Sequence, residues 1–194
     1  MSLIRKNRSI DIDSNIKEEI LSFLSSTYSA FEDNQYSIYK DKDKWIVDVS
    51  QPLIVSNYDI QYLTNGLFEF GVAKRYFDCG GCKKLESLEG GPEKVGGSFI
   101  CRNCPNLKSL KGAPKEVGRN FDCSNCTNLK SLEGVPKEVW GYFSCWGCDN
   151  LKSLKGAPKE VWGYFDCHRC KNLKSLEGAP KVIKGRFIHD EYLK

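Results

Sequence analysis

The residues best equipped for chemistry are ten cysteines, at positions 79, 82, 101, 104, 123, 126, 145, 148, 167 and 170. They form five Cys-x-x-Cys pairs, each 22 residues after the last. Two successive pairs offer four thiolates at the spacing of a structural zinc site, and Cys79, Cys82, Cys101 and Cys104 are the first candidates for one. A single pair can instead do thioredoxin-like redox work when a helix N-terminus behind it lowers the thiol pKa. Reduced thiols can also pack a core as small apolar side chains. Three points weigh against zinc: the spacing follows automatically from the period, five pairs divide badly into four-ligand sites, and both positions fall in inward slots. Redox catalysis would require five identical sites, each followed by x-x-L-x-S-L rather than a helix start. The expectation is a ladder of reduced core thiols with no cofactor, with zinc as the alternative.

Other catalytic groups are scarce, with two histidines and one methionine in 194 residues. No nucleophile–histidine–acid set is readable, and His168 sits between Cys167 and Arg169 in a slot that varies between units. Asp78, Asp122 and Asp166 recur every second unit, too far apart to form a carboxylate pair, and read as solubilising acids. The chain is expected not to be an enzyme.

The elements that position the cysteines repeat with them. Phe77, Phe99, Phe121, Phe143, Phe165 and Phe187 keep the same 22-residue step, as do two leucines, one proline and one valine or isoleucine per unit. A unit this short cannot bury its apolar face alone, so the units must stack into a solenoid. Within F-x-C the period is two, which makes a strand whose Phe and Cys share the inner face. Gly and Pro then turn the chain, and the return is expected to be irregular or 3₁₀ rather than a long helix.

The text F-x-C-x-x-C-x-N-L-x-S-L-x-G-x-P-x-x-V resembles the leucine-rich repeat, with Phe143-Ser144-Cys145-Trp146-Gly147-Cys148 and Leu151 in the L-x-L-x-x-C…L slots. More specifically, it is similar to a short-period repeat family of tailed bacteriophages and some bacteria. In that family the second Cys is often Asn, and molecular function is mostly unassigned. The resemblance covers residues 53–188 and implies a phage or bacterial protein. The fold class is therefore α+β: a leucine-rich-repeat-like parallel β-solenoid with an N-terminal α/β cap. Residues 53–188 form the solenoid, with a degenerate unit at 55–76, units starting at 77, 99, 121, 143 and 165, a partial unit at 187, and a tail at 189–194. In the degenerate unit Val55, Ile60 and Leu63 take the places of Phe77, Cys82 and Leu85, and Asn57 that of Cys79.

Residues 1–52 differ in kind and are read as a cap for the open end of the stack. Asn15 and Glu18 suggest a capping box, and Ile16, Ile20, Phe23, Leu24, Tyr28 and Phe31 give a helix over 15–31. Tyr36–Tyr39 and Trp45–Val49 flank a polar turn and read as a hairpin.

Binding chemistry must sit where the units differ. Stacking puts Tyr142 beside Tyr164, Trp146 beside His168 and Trp140 beside Trp162, while earlier units carry mostly Gly, Ser, Asn and Asp in those slots. Aromatic groups on an exposed sheet anchor protein interfaces, but they also stabilise sheets as ladders. The candidate partner-binding residues are Trp140, Tyr142, Trp146, Trp162, Tyr164 and His168, with Asp122 and Asp166 for polar specificity.

The leading expectation is thus a scaffold for a protein partner, a bacterial host or phage protein. The alternative is a zinc-stabilised nucleic-acid binder using Lys108, Lys130, Lys152 and Lys174. Against nucleic acid, the whole chain carries only +4, and Glu116, Glu138 and Glu160 blunt the basic field. A glycan is a further option for the repeated aromatics. No apolar stretch is long enough to span a bilayer, and the N-terminus lacks a signal-peptide core, so a cytoplasmic location is expected.

Overall fold

The computed structural model describes residues 2–29, 35–55 and 59–193, with side chains from residue 14 onward. The chain winds into a parallel β-solenoid in which each turn gives one short strand to each of two eight-stranded sheets. In the first sheet Phe77, Phe99, Phe121, Phe143, Phe165 and Phe187 lie in register, each beside its copy in the next turn. The second sheet aligns Val95, Val117, Val139, Val161 and Ile183 in the same way. This second ladder corrects the expectation of irregular returns. A buried Pro fixes φ ahead of each Glu-Val or Lys-Val pair, and the β-branched residue packs best on an extended, half-buried backbone.

Burial drives the stack. Phe77, Phe99, Phe121, Phe143 and Phe165 are fully enclosed, as are all ten cysteines and nine leucines of the repeats from Leu85 to Leu173. Successive Phe rings stand 5.3–5.6 Å apart by centroid. Enclosing one such ring or a leucine contributes about 1.5–3 kcal/mol, and identical neighbours cover it on both faces. The turn after the second leucine needs a left-handed residue. Gly112 supplies it at φ +88°, where a Cβ would lie 2.5 Å from the Leu88 carbonyl carbon of the turn below.

The cysteine pairs straddle a tight turn rather than opening a helix. The residue before the second Cys (Gly81, Asn103, Asn125, Gly147 and Arg169) has positive φ in all five units. The second thiol of one unit then donates to the carbonyl of the first Cys in the unit before. These bonds are Cys104 to Cys79 at 3.3 Å, Cys126 to Cys101 at 3.1 Å, Cys148 to Cys123 at 3.3 Å and Cys170 to Cys145 at 3.2 Å. All ten thiols are free; burial holds those of Cys79 and Cys123 well above the ordinary range, and these donate onward, Cys79 to the Ile100 carbonyl at 3.5 Å and Cys123 to that of Ser144 at 3.3 Å.

At the N-terminal end the helix is Ser2–Thr27, not 15–31, and Asn15 lies inside it rather than capping it. No Gly or Pro interrupts residues 2–27, and an interior Asn costs a helix only a fraction of a kcal/mol. Tyr28 is not its last turn but begins a strand that pairs antiparallel with Leu53–Val55. Phe31 and Asn57 lie outside the described residues. The hairpin forms as Tyr36–Asp41 and Lys44–Val49, and its second strand runs parallel to Phe68–Ala73, so it continues the second sheet. Ile20, Leu24 and Tyr28 are buried over the first turns, and the Tyr28 hydroxyl donates to the Leu63 carbonyl at 2.6 Å. The leading turn is two residues longer than the repeat. Leu53, not Val55, pairs with Phe77, and Val49 pairs with Ala73 after a register shift in the hairpin strand. Ile60 and Leu63 are nevertheless buried as the pattern predicts. At the other end the segment after Phe187 also closes the core, with Leu193 buried and Asp190 accepting the Arg169 backbone N–H at 2.9 Å.

The thiol-to-carbonyl bonds make a direct prediction. Cys126→Ala removes the donor to Cys101 and leaves a buried carbonyl unpaired, which costs about 1–3 kcal/mol. Cys126→Ser keeps a donor and is expected to cost less than the alanine variant in urea unfolding.

Candidate interaction surface

Each turn bends from the second sheet to the first within a few residues, and Trp140, Gly141 and Tyr142 form that corner in the fourth unit. Glycine is required there by contact: a Cβ on Gly163 would sit 2.7 Å from the Gly141 carbonyl carbon beneath it. The corner therefore stacks tightly, and the aromatic residues on either side of it stack too. Trp140 and Trp162 lie 5.0 Å apart at 15°, and Tyr142 and Tyr164 lie 4.6 Å apart at 5°. Trp140 is 58% exposed, Trp162 43% and Tyr164 37%, whereas Tyr142 is half-buried.

The third matched pair behaves differently. The Trp146 indole N–H donates to Nε2 of His168 at 2.8 Å. Because an indole can only donate, the imidazole proton lies on Nδ1, which donates to Asp166 Oδ1 at 2.7 Å. Trp146, His168 and Asp166 are thus one half-buried unit, with the Arg169 guanidinium 5.8 Å above the indole. Neither Trp146 nor His168 has its polar edge free.

The acids that follow Phe77, Phe121 and Phe165 are more than solubilising groups. Asp122 is 6% exposed and accepts from the Ser124 backbone N–H at 3.0 Å and hydroxyl at 2.6 Å. Asp78 and Asp166 accept the N–H two residues on in the same way, at 2.8 and 3.1 Å. Each carboxylate ends its strand by satisfying a backbone donor that the ladder leaves over. Burial first, then the Asp122 carboxylate, holds the Tyr142 and Tyr164 hydroxyls above the ordinary tyrosine range. Both remain neutral donors beside a negative charge.

The structure therefore gathers Trp140, Tyr142, Tyr164, Trp162, Asp122 and Asp166 around one corner of units four and five. It ties Trp146 and His168 into a network of their own. The period missed none of these pairings. It gave no sign of Arg169 over Trp146 or of the Lys184 ammonium 5.5 Å over Trp162, although Lys184 does follow Trp162 by one period. Lys108, Lys130, Lys152 and Lys174 are all exposed, in line along the stack. Among the described residues, no three His, Cys, Asp or Glu side chains gather as the ligands of one ion would, and Cys79, Cys82, Cys101 and Cys104 form no such group. No helix among them is long and apolar enough to cross a membrane. No family model matches the chain, and neither does any curated protein or solved structure.

The raised tyrosines set a pH dependence. Their folded-state values lie above the unfolded value, so the stability they contribute is intact below about pH 10 and is lost as pH rises through the folded values. Between about pH 9 and 11 the native protein should therefore lose more stability in urea melts than Tyr142→Phe/Tyr164→Phe. Asp122→Asn should shrink that difference.

Proposed function

We propose that the protein is a non-enzymatic scaffold whose aromatic corner in units four and five docks a protein partner. The observation that carries this reading is the concentration of exposed stacked rings there: Trp140 and Trp162, with Tyr164 over Tyr142. The second and third units have Gly96 and Gly118 in the Trp slot and Ser98 and Asn120 in the Tyr slot; Tyr76 fills that slot in the first unit but has no Trp beside it, so the Trp-Tyr patch is local to one end of the stack. Interfaces take most of their energy from a few Trp, Tyr and Arg anchors, often about 2 kcal/mol or more each. Stacked rings offer such anchors with little side-chain entropy left to lose. Asp122 and Asp166 add fixed acceptors beside the rings.

The finer identity of the fold belongs to the same proposal. The second Cys of the second to fifth units donates to the backbone of its neighbour, a role suited to the N/C slot of a leucine-rich repeat, since Asn also carries a donor. That supports kinship with the repeat proteins of phages and bacteria, and with it a host or phage partner in the bacterial cytoplasm. A zinc-stabilised nucleic-acid binder remains the competing reading, on the strength of the exposed lysine row.

Affinity capture from a bacterial lysate, run side by side with native protein and Tyr142→Ala/Tyr164→Ala, tests the proposal. A partner lost at least tenfold by the double variant, while that variant stays folded, is the expected result. Trp146→Ala should weaken capture less, because its N–H is already committed to His168. A lower melting temperature with unchanged capture would make the rings a stabilising ladder only. Stoichiometric zinc, together with DNA or RNA binding that weakens steeply with salt, would favour the competing reading.

A further inference from the structure

A groove of about 730 Å³ crosses the outer face of the second sheet, in the size range of small-ligand sites. It shares Trp140 with the aromatic corner but contains neither Tyr142 nor Asp122, and it does not depend on the scaffold reading. Its lining includes Gly96 and Gly118, Glu116 and Glu138, Lys115 and Lys137, and Trp140. The column that carries Trp140 and Trp162 is glycine in the two turns before them. Trp162 covers one face of the Trp140 indole at 5.0 Å, so the opposite face looks over Gly118 into the groove. Turns repeat every ~4.8 Å, so one flat ring laid over Gly118 would extend the aromatic column by a step.

The rim decides what kind of ring fits. Glu116 stands beside Gly118 and Glu138 beside Trp140, so a ring stacked there has carboxylates at its edge. Glu116 is paired with Lys94 at 2.6 Å, whereas Glu138 and its neighbour Lys137 make no ion pair among the described residues. A hydrocarbon ring such as that of phenylalanine has only C–H at its edge and would strip water from these carboxylates without replacing the hydrogen bonds. The lining carries both signs, with Lys94, Lys115 and Lys137 beside Glu116 and Glu138, which favours an uncharged ligand that both donates and accepts hydrogen bonds. A neutral pyranose satisfies both demands: its axial C–H groups meet the electron-rich indole face, and its equatorial hydroxyls donate to carboxylates and accept from lysine. We propose that this groove binds a neutral pyranose sugar, stacked on the free face of Trp140 with its hydroxyls on Glu116 and Glu138.

The test is a screen of the full chain against immobilised neutral hexose and N-acetylhexosamine oligosaccharides, followed by calorimetric titration of the strongest ligand. At least one neutral sugar should bind. Trp140→Ala should weaken it at least tenfold, Trp140→Phe by less, and Glu138→Gln measurably, while Tyr142→Ala/Tyr164→Ala should leave it unchanged. Binding of no neutral sugar, preference for an anionic one, or affinity untouched by both Trp140→Ala and Glu138→Gln would overturn the proposal. Loss of a protein partner in Trp140→Ala with no sugar binding would assign the groove to protein instead. Failure of the double tyrosine variant to lose its partner would count against the scaffold reading alone.

Discussion

Everything in this molecule hangs on one register. The backbone N–H groups of each turn bind the carbonyls of the adjacent turn at a constant offset, from Phe77 to Ser98 through Phe165 to Arg186. A fixed offset forces like onto like, which is ideal for Phe, Leu, Val and thiol columns and dangerous for charge. Part of the surface meets that danger by alternation, while the Lys108–Lys174 column and Glu138 over Glu160 do stack like on like. One exposed column reads Glu89, Lys111, Glu133, Lys155, Glu177, alternating in sign from turn to turn, with Lys111 on Glu89 and Lys155 on Glu177. Lys115 on Glu93 and Lys171 on Asp149 follow the same logic. Exposed pairs of this kind are each worth less than about 1 kcal/mol, so their service is to avoid repulsion between stacked like charges more than to bind the turns together.

The interior column that looks chemical in the sequence is a backbone device. Where the Phe strand ends, the first Cys of each turn has a carbonyl that needs a donor in a space enclosed by Phe and Leu. A thiol is small, apolar enough for that core, and carries one weak donor. Its hydrogen reaches the carbonyl across the turn that the left-handed third residue creates. Serine would bring a stronger donor but a more polar atom, and alanine none. The Cys-x-x-Cys spacing that suits a metal site is thus the spacing that brings a donor around a tight turn and back under the preceding rung.

Much of this was legible because a strict period turns sequence position into spatial neighbourhood. The Phe, Cys and Leu columns, the ring pairs at 142/164 and 140/162, and the Trp146–His168 contact all follow from adding one period. What the period could not show lies where local chemistry competes with it. The Lys-Val and Glu-Val pairs looked like return loops because two residues are too few to display alternation. The Asp after Phe77, Phe121 and Phe165 reads as surface charge because an acceptor for a backbone N–H two residues on has no signature beyond proximity. At the N-terminus a plausible cap, Asn15, was overruled by an unbroken run of helix-compatible residues. The first turn, with two extra residues, defeated the simple subtraction that set Val55 opposite Phe77.

In a periodic stack most side chains find their partner in their own copy one turn away, and such columns leave little chemistry to spare. Free valence appears where a column changes letter. The Trp column ends at one side on Lys184, whose ammonium covers Trp162, and at the other on Gly118, which covers nothing. The Tyr column gives way to Asn120, whose side-chain oxygen accepts the Tyr142 backbone N–H at 3.0 Å. Ring stacking and recognition are therefore not rival explanations of the same residues. The stacked faces hold the rings in place at small entropic cost, and the face left bare at the break in the column is the one that has something to offer a ligand.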